Sequence, residues 1–237
     1  MVPMDRLIVA LDFTDLAPAL RMAKRVRGLV STVKVGSILF TACGPTAIQR
    51  LRGLGFQIML DLKFFDIPST VELGCRAVVR HRVSLLTVHA AGERAMLEAA
   101  VQGVRTEARR LHTPRPLVLG VTVLTSVSAQ SSNASRGQLR QRVMSLAHAA
   151  LQAGCDGVVT SAQELPALRK RFGRSLRIAC AGIRLSQTRS DDQRRVSTPR
   201  EAIARGADFL IVGRPITGAR DPRAATQAML CDMEGVK

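Results

Sequence analysis

Gln57-Ile-Met-Leu-Asp61-Leu-Lys63-Phe-Phe-Asp66-Ile-Pro68-Ser-Thr70 opens as a strand and closes as the start of a helix. Side chains alternate between the faces of a strand, so Met59, Asp61 and Lys63 share one face while Ile58, Leu60 and Leu62 share the other. One face is apolar; the other ends in an ion pair. Pro68 is suited to the first turn of a helix, where its missing N–H costs nothing. The stretch therefore predicts a strand, a charged turn and a helix, with Asp61, Lys63 and Asp66 crowded at the strand's C-terminal end.

The same unit recurs in both directions along the chain. Short aliphatic runs, each followed by a segment of helical spacing, stand at Leu7 to Leu11, Thr32 to Val35, Gln57 to Leu62, Leu85 to Val88, Pro116 to Val123, Gly157 to Thr160, Arg177 to Cys180 and Phe209 to Val212. Between them, Ser161-Ala-Gln-Glu164 and Thr198-Pro-Arg-Glu201 read as capping boxes, and Asp221-Pro222 as a cap followed by proline. Eight strand–helix units without hairpin turns predict an α/β protein, a single (β/α)8 TIM barrel spanning residues 1–237. Its functional groups belong at the C-terminal ends of the strands.

Polar residues collect at those ends: Asp12, Lys34, Asp61, Lys63, His89, Thr125, Ser161, Arg184 and Arg214. His89 also reads as a backbone hydrogen-bonding partner, and capping accounts for Ser161. Strands seven and eight run into Gly182-Ile-Arg184 and Gly213-Arg214-Pro215, where glycine admits backbone amides to an anion and arginine offers a bidentate fork. This pattern predicts a phosphate ester as ligand. Its reactive part then lies toward Lys34, Asp61, Lys63 and Asp66, charges of alternating sign whose burial demands pairing. Lys63, flanked by carboxylates, is expected to stay protonated and able to donate.

The 237 residues, 46% of them hydrophobic, can bury a full core, and no apolar run reaches the roughly 18 residues of a membrane span. The N-terminus lacks a signal-peptide pattern, so a cytoplasmic location is expected. Five cysteines are scattered without metal-ligand spacing and read as small buried thiols. Lys and Arg outnumber Asp and Glu by 35 to 18, a formal charge of +17. That excess is spread along the whole chain, and without Tyr or Trp there is no stacking platform, so nucleic acid is not an expected partner.

The motifs Val9-Ala-Leu-Asp12, Val33-Lys34-Val-Gly36, Asp61 to Pro68, Val121-Thr-Val-Leu-Thr125-Ser126, Gly182-Ile-Arg184, Asp192-Gln193-Arg194 and Gly213-Arg214-Pro215 together resemble the orotidine 5′-phosphate decarboxylase family. The resemblance runs from Leu7 to about Pro222. It implies release of carbon dioxide from orotidine 5′-phosphate to give uridine 5′-phosphate, with no metal or cofactor. A homodimer with active sites at the interface is also implied, with Lys63 as proton donor and Asp66 reaching into the neighbouring subunit's site. Asp12 and Lys34 would meet the ribose hydroxyls, Thr125 and Ser126 the pyrimidine, and Gln193, Gly213 and Arg214 the phosphate. Ile67, Thr70 and Arg184 complete the implied substrate contacts.

Three positions depart from the family pattern: Phe65 in place of histidine, Ser69 in place of asparagine and Ala181 in place of proline. None removes a charged member of the cluster. The segment Leu185 to Ser197 is expected to act as a phosphate-gripping lid. Related sugar-phosphate enzymes, 3-keto-gulonate-phosphate decarboxylase and hexulose-phosphate synthase, share Asp-x-Lys-x-x-Asp but carry a magnesium-binding glutamate where Lys34 stands. A basic, catalytically silent barrel that binds RNA is a further alternative, opposed by the intact Lys63 and aspartates.

Overall fold

The computed structural model describes residues 2–125, 135–185 and 196–234. Eight parallel strands close on themselves in sequence order: β1 Leu7–Ala10, β2 Thr32–Gly36, β3 Gln57–Phe64, β4 Leu85–His89, β5 Leu117–Val121, β6 Gly157–Ser161, β7 Arg177–Ala181 and β8 Phe209–Val212. The return of β8 to pair with β1, Val212 beside Val9, makes the sheet a barrel. Helix α1 Pro3–Arg6 precedes the first strand. The others follow in turn: α2 Leu16–Val26, α3 Ser37–Cys43, α4 Pro45–Gly53, α5 Pro68–Arg80, α6 Glu93–Arg110, α7 Arg136–Gln152, α8 Leu165–Phe172, α9 Pro199–Ala204, α10 Arg214–Thr217 and α11 Pro222–Met233.

The barrel interior is filled by Ile8, Met59, Leu85, Leu119, Ala179 and Phe209. Their strand neighbours on the other face, such as Leu7, Val9, Ile58 and Leu60, join the larger apolar layer beneath the helices. The alternation expected for Met59 and Ile58 is therefore the one observed. Above the interior plug the inward positions turn polar, with Lys34 two residues after Thr32, Asp61 two after Met59, and Thr87 two after Leu85.

Helix starts follow the capping signals, with one correction. Thr198 and Glu201 form the expected capping box, and Asp221 accepts from the amides of Arg223 and Ala224. Ser161 does not cap a helix: it is the buried last residue of β6, and its hydroxyl donates to Glu164, which itself occupies the N-cap of α8. A short hydroxyl-to-carboxylate contact inside the barrel rim replaces the reciprocal box, because the chain makes a turn before α8 begins. A capping box that the sequence reading overlooked, Ser135 with Gln138, opens α7. Among the described residues no helix is long and apolar enough to cross a membrane.

Candidate active site

β3 departs from regular strand geometry where its charges begin. Leu60 pairs with Leu86 and Phe64 with Val88, so four steps on β3 match two on β4. This bulge coincides with a left-handed backbone at Lys63, φ 51°. For a residue with a Cβ that conformation costs roughly 1–2 kcal/mol. It is held by the Lys63 amide, which donates to Thr87 Oγ1 at 3.0 Å. The Thr87 hydroxyl in turn donates to Asp61 Oδ1 at 2.9 Å. One fully buried threonine thus fixes both the strained backbone of Lys63 and the orientation of Asp61.

The charges form a continuous row. Asp12 Oδ1 lies 3.0 Å from Lys34 Nζ, Lys34 Nζ lies 3.3 Å from Asp61 Oδ2, and Asp61 Oδ2 lies 3.0 Å from Lys63 Nζ. The Lys34 side chain is 9% exposed and that of Asp61 11%, whereas Lys63 retains 37% and faces open space. Burial by itself would raise the Asp61 pKa. The charges of Lys34 and Lys63, with hydrogen bonds from Lys63 and Thr87, outweigh it and hold the carboxyl below its ordinary value. Gly36 makes room for the row: a Cβ there would stand 2.7 Å from Lys34 Nζ and 3.0 Å from Asp12 Oδ1.

A cavity of about 490 Å³ opens over this row at the C-terminal ends of the strands. Asp12, Lys34, Asp61 and Lys63 line it at the ends of β1 to β3, Val121, Leu124 and Thr125 at the end of β5, and Arg184, Gly213 and Arg214 at the ends of β7 and β8, so that Gly213 stands beside Asp12 on the neighbouring strand. The cavity therefore offers an arc of charge running from Lys63 through Asp12 to Arg214 and Arg184, with an apolar stretch at Val121, Val123 and Leu124. Such a shape suits a phosphorylated molecule with a planar, polar reactive end.

Asp66 does not join the row within one chain. It is exposed, does not line the cavity, and accepts from the Ile67 amide at 2.6 Å. The strand ends before it, so the expectation of Asp61, Lys63 and Asp66 crowding one strand end is corrected for the single chain. Ile67 and Thr70 are exposed too and lie outside the cavity. Ser126 and Gln193, and most of the expected lid from Leu185 to Ser197, lie outside the described residues. The base of that segment is tied: Arg184 N donates to Ser197 O at 2.9 Å and Ser197 N to Gly182 O at 3.1 Å.

In sequence, this chain is 43% identical over 236 residues to an orotidine 5′-phosphate decarboxylase of Moorella thermoacetica, covering 98% of this chain and 94% of the relative. It is 44% identical over 229 residues to another of Chromobacterium violaceum, covering 95% and 90%. Residues 5–229 match the model of the Orotidine 5′-phosphate decarboxylase / HUMPS family. The chain belongs to this family. In structure, the crystallised orotidine 5′-phosphate decarboxylase of Lactobacillus acidophilus superposes with a TM-score of 0.83 at 33% identity, covering 98% of this chain and all of that one.

Of the three departures from the family pattern, Phe65 has an aromatic partner. Its ring meets His89 edge-on, 5.5 Å between centroids. Burial, with the nearby charges of Arg142 and Lys63, lowers the His89 pKa, and its Nδ1 accepts from the Ala91 amide at 3.2 Å. The backbone role read for this histidine is the one it has. Ala181 ends β7 and lines the cavity, and Ser69 is exposed at the start of α5. Thr87 is the site residue that the sequence reading missed. Counting back two positions from His89 along an alternating strand would have placed it on the inner face.

Proposed function

We propose that this chain converts orotidine 5′-phosphate to uridine 5′-phosphate, with Lys63 as the proton donor. The observation that carries the reading is the row Asp12, Lys34, Asp61 and Lys63 in a cavity that Gly213 and Arg214 also line, at the end of the strand beside that of Asp12. With phosphate at Gly213 and Arg214 and ribose hydroxyls at Asp12 and Lys34, the pyrimidine carboxylate is set against Asp61. That carboxylate is held anionic by its neighbours, so it repels the substrate's charge more than that of the transition state leading to neutral carbon dioxide. The bond from C6 to the carboxylate breaks, its electron pair stays on C6, carbon dioxide departs, and a proton from Lys63 Nζ completes C6–H. Thr125, with Ser126, contacts the base, Gln193 joins the phosphate site, and Arg184 adds a further ligand contact.

A magnesium-dependent sugar-phosphate reaction suits the residues less well. The ammonium of Lys34 sits 3.0 Å from Asp12 and 3.3 Å from Asp61, where a divalent cation would need oxygen donors. Mixing the purified protein with orotidine 5′-phosphate in the presence of a chelator, and following loss of substrate absorbance, tests both points. Turnover is expected; no turnover with chelator, restored by magnesium, would overturn the metal-free reading.

A homodimer completes the proposal. Phe65 and Ile67, on either side of Asp66 in sequence, and Leu73 on α5 are each more than 60% exposed, apolar side chains that a second copy would cover. Asp66, Ile67 and Thr70 would then serve the partner's site. Lys63→Ala and Asp66→Ala proteins, each inactive, should regain activity when mixed, with about a quarter of all sites intact after random exchange of a twofold dimer. Subunit exchange without regained activity would place Asp66 in its own barrel's chemistry.

A further inference from the structure

In a barrel of parallel strands, every strand starts at the end opposite the cavity, and each helix that leads directly into the next strand ends there. Basic residues occupy the last turn of α2, α4, α5, α6 and α8. More follow in the turns into the strands, notably Arg27, Arg82, Arg174, Arg177 and Arg205, all exposed. These basic residues, far apart in sequence, are thereby brought to one face.

Helix ends explain only part of it. Each carries roughly half a negative charge, so one cation satisfies about two helices. Here a single segment, from the end of α8 to the start of β7, carries Arg169, Lys170, Arg171, Arg174 and Arg177. The carboxylates in these segments are already engaged: Glu107 by Arg80 and Arg110, Asp156 by Arg115, Asp208 by Arg169, and Asp5 by the Ser31 hydroxyl. The surplus faces solvent. An open groove of about 500 Å³, lined by Arg105, Ala108, Arg109, His112, Thr113 and Arg115, indents the same face.

The chemistry of this face selects among polyanions. A protein interface is built around apolar anchors, and peripheral membrane helices insert apolar side chains. Among the described residues the only large exposed apolar side chains near this end are Val2, Met4 and Leu111. Arginine greatly exceeds lysine, and its planar fork matches phosphate oxygens. With no Tyr or Trp in the chain and no Phe among the exposed apolar side chains near this end, contact is to the backbone. We propose that the face opposite the cavity binds the phosphate backbone of duplex nucleic acid without reading sequence.

The test measures fluorescence polarisation of labelled RNA and DNA duplexes of about two helical turns, titrated with the full chain over a range of salt. The face variant carries Arg52→Gln, Lys170→Gln, Arg174→Gln and Arg177→Gln. A control with equal charge loss carries Arg21→Gln, Arg140→Gln, Arg220→Gln and Arg223→Gln, all exposed and outside the face. Affinity should fall about tenfold or more in the face variant, with the salt slope shallower by about 3, while the control changes by less than about threefold. Turnover of orotidine 5′-phosphate by the face variant should match the unaltered chain. The proposal is overturned by equal losses in both variants, by absence of duplex binding at about 10 µM protein in about 0.1 M salt, or by equal affinity for anionic lipid vesicles or polyglutamate.

Discussion

Two buried carboxylates in this barrel are each wrapped in cations, yet only one of them marks a site. Asp61 stands between Lys34 and Lys63 at the mouth of the barrel. Glu107, on α6, is fully covered by Arg76, Arg80 and Arg110, and its pKa is lowered to about 2, chiefly by hydrogen bonds from Arg110 and Arg80. Electrostatics alone does not separate them. What differs is the kind of cation and the space in front of it. Arginine cannot give up a proton near neutral pH, and the Glu107 cluster clasps α5 to α6. Lysine can release its proton, and the Lys63 ammonium looks into a cavity of about 490 Å³.

The sharpest way to break the comparison is to make one cluster resemble the other. Lys63→Ala and Lys63→Arg should both lose turnover by about 10³-fold or more, the arginine variant because it keeps charge but withholds the proton. Circular dichroism should be unchanged in both. Activity retained by Lys63→Arg would show that charge, not proton transfer, is what Lys63 supplies.

Arg214, across the cavity, tests whether remote binding feeds the reaction at Lys63. Arg214→Ala should cost about 30- to 1000-fold in kcat/KM for the nucleotide, the worth of roughly 2–4 kcal/mol of charge-assisted contact. The slow reaction of the nucleoside without phosphate should be nearly untouched. Equal losses on both substrates would assign Arg214 to the support of the barrel.

A smaller effect is expected at Thr87, which orients the row without entering the cavity. Thr87→Val keeps the shape but removes the acceptor for the Lys63 amide and the donor to Asp61, and about tenfold in kcat is the expected loss, with KM little changed. Thr87→Ser should restore most of it. A Thr87→Val protein with unaltered kcat and reduced thermal stability would make the threonine purely structural.

Glu107→Gln should leave kcat unchanged and lower Tm, which sharpens the contrast from the other side. The folded pKa of about 2 is below the ordinary 4.5, so the carboxylate's contribution is fully present above pH 4.5 and is lost as pH falls toward 2. Melting temperatures of the two proteins should therefore differ most near neutrality and converge in acid. Curves that stay parallel down to the acid limit would remove Glu107 from the account of acid stability.

By itself the sequence determined the barrel, because an apolar run of period two followed by a segment of helical spacing, repeated eight times, has one way to bury all its faces. It also determined the inward placing of Asp12, Lys34 and Asp61, since strand alternation puts each on the inner side at a strand's end. Other features needed the folded chain. The β3 bulge and the left-handed Lys63 arise from pairing with β4 and the hydroxyl of Thr87, contacts between residues more than twenty positions apart. The exposure of Asp66 follows from where β3 stops, and the replacement of the Ser161 cap from the turn before α8. The basic face is the plainest case: residues of α2, α4, α5, α6 and α8, far apart in sequence, meet at one end because each of these helices leads the chain back to the start of the next strand.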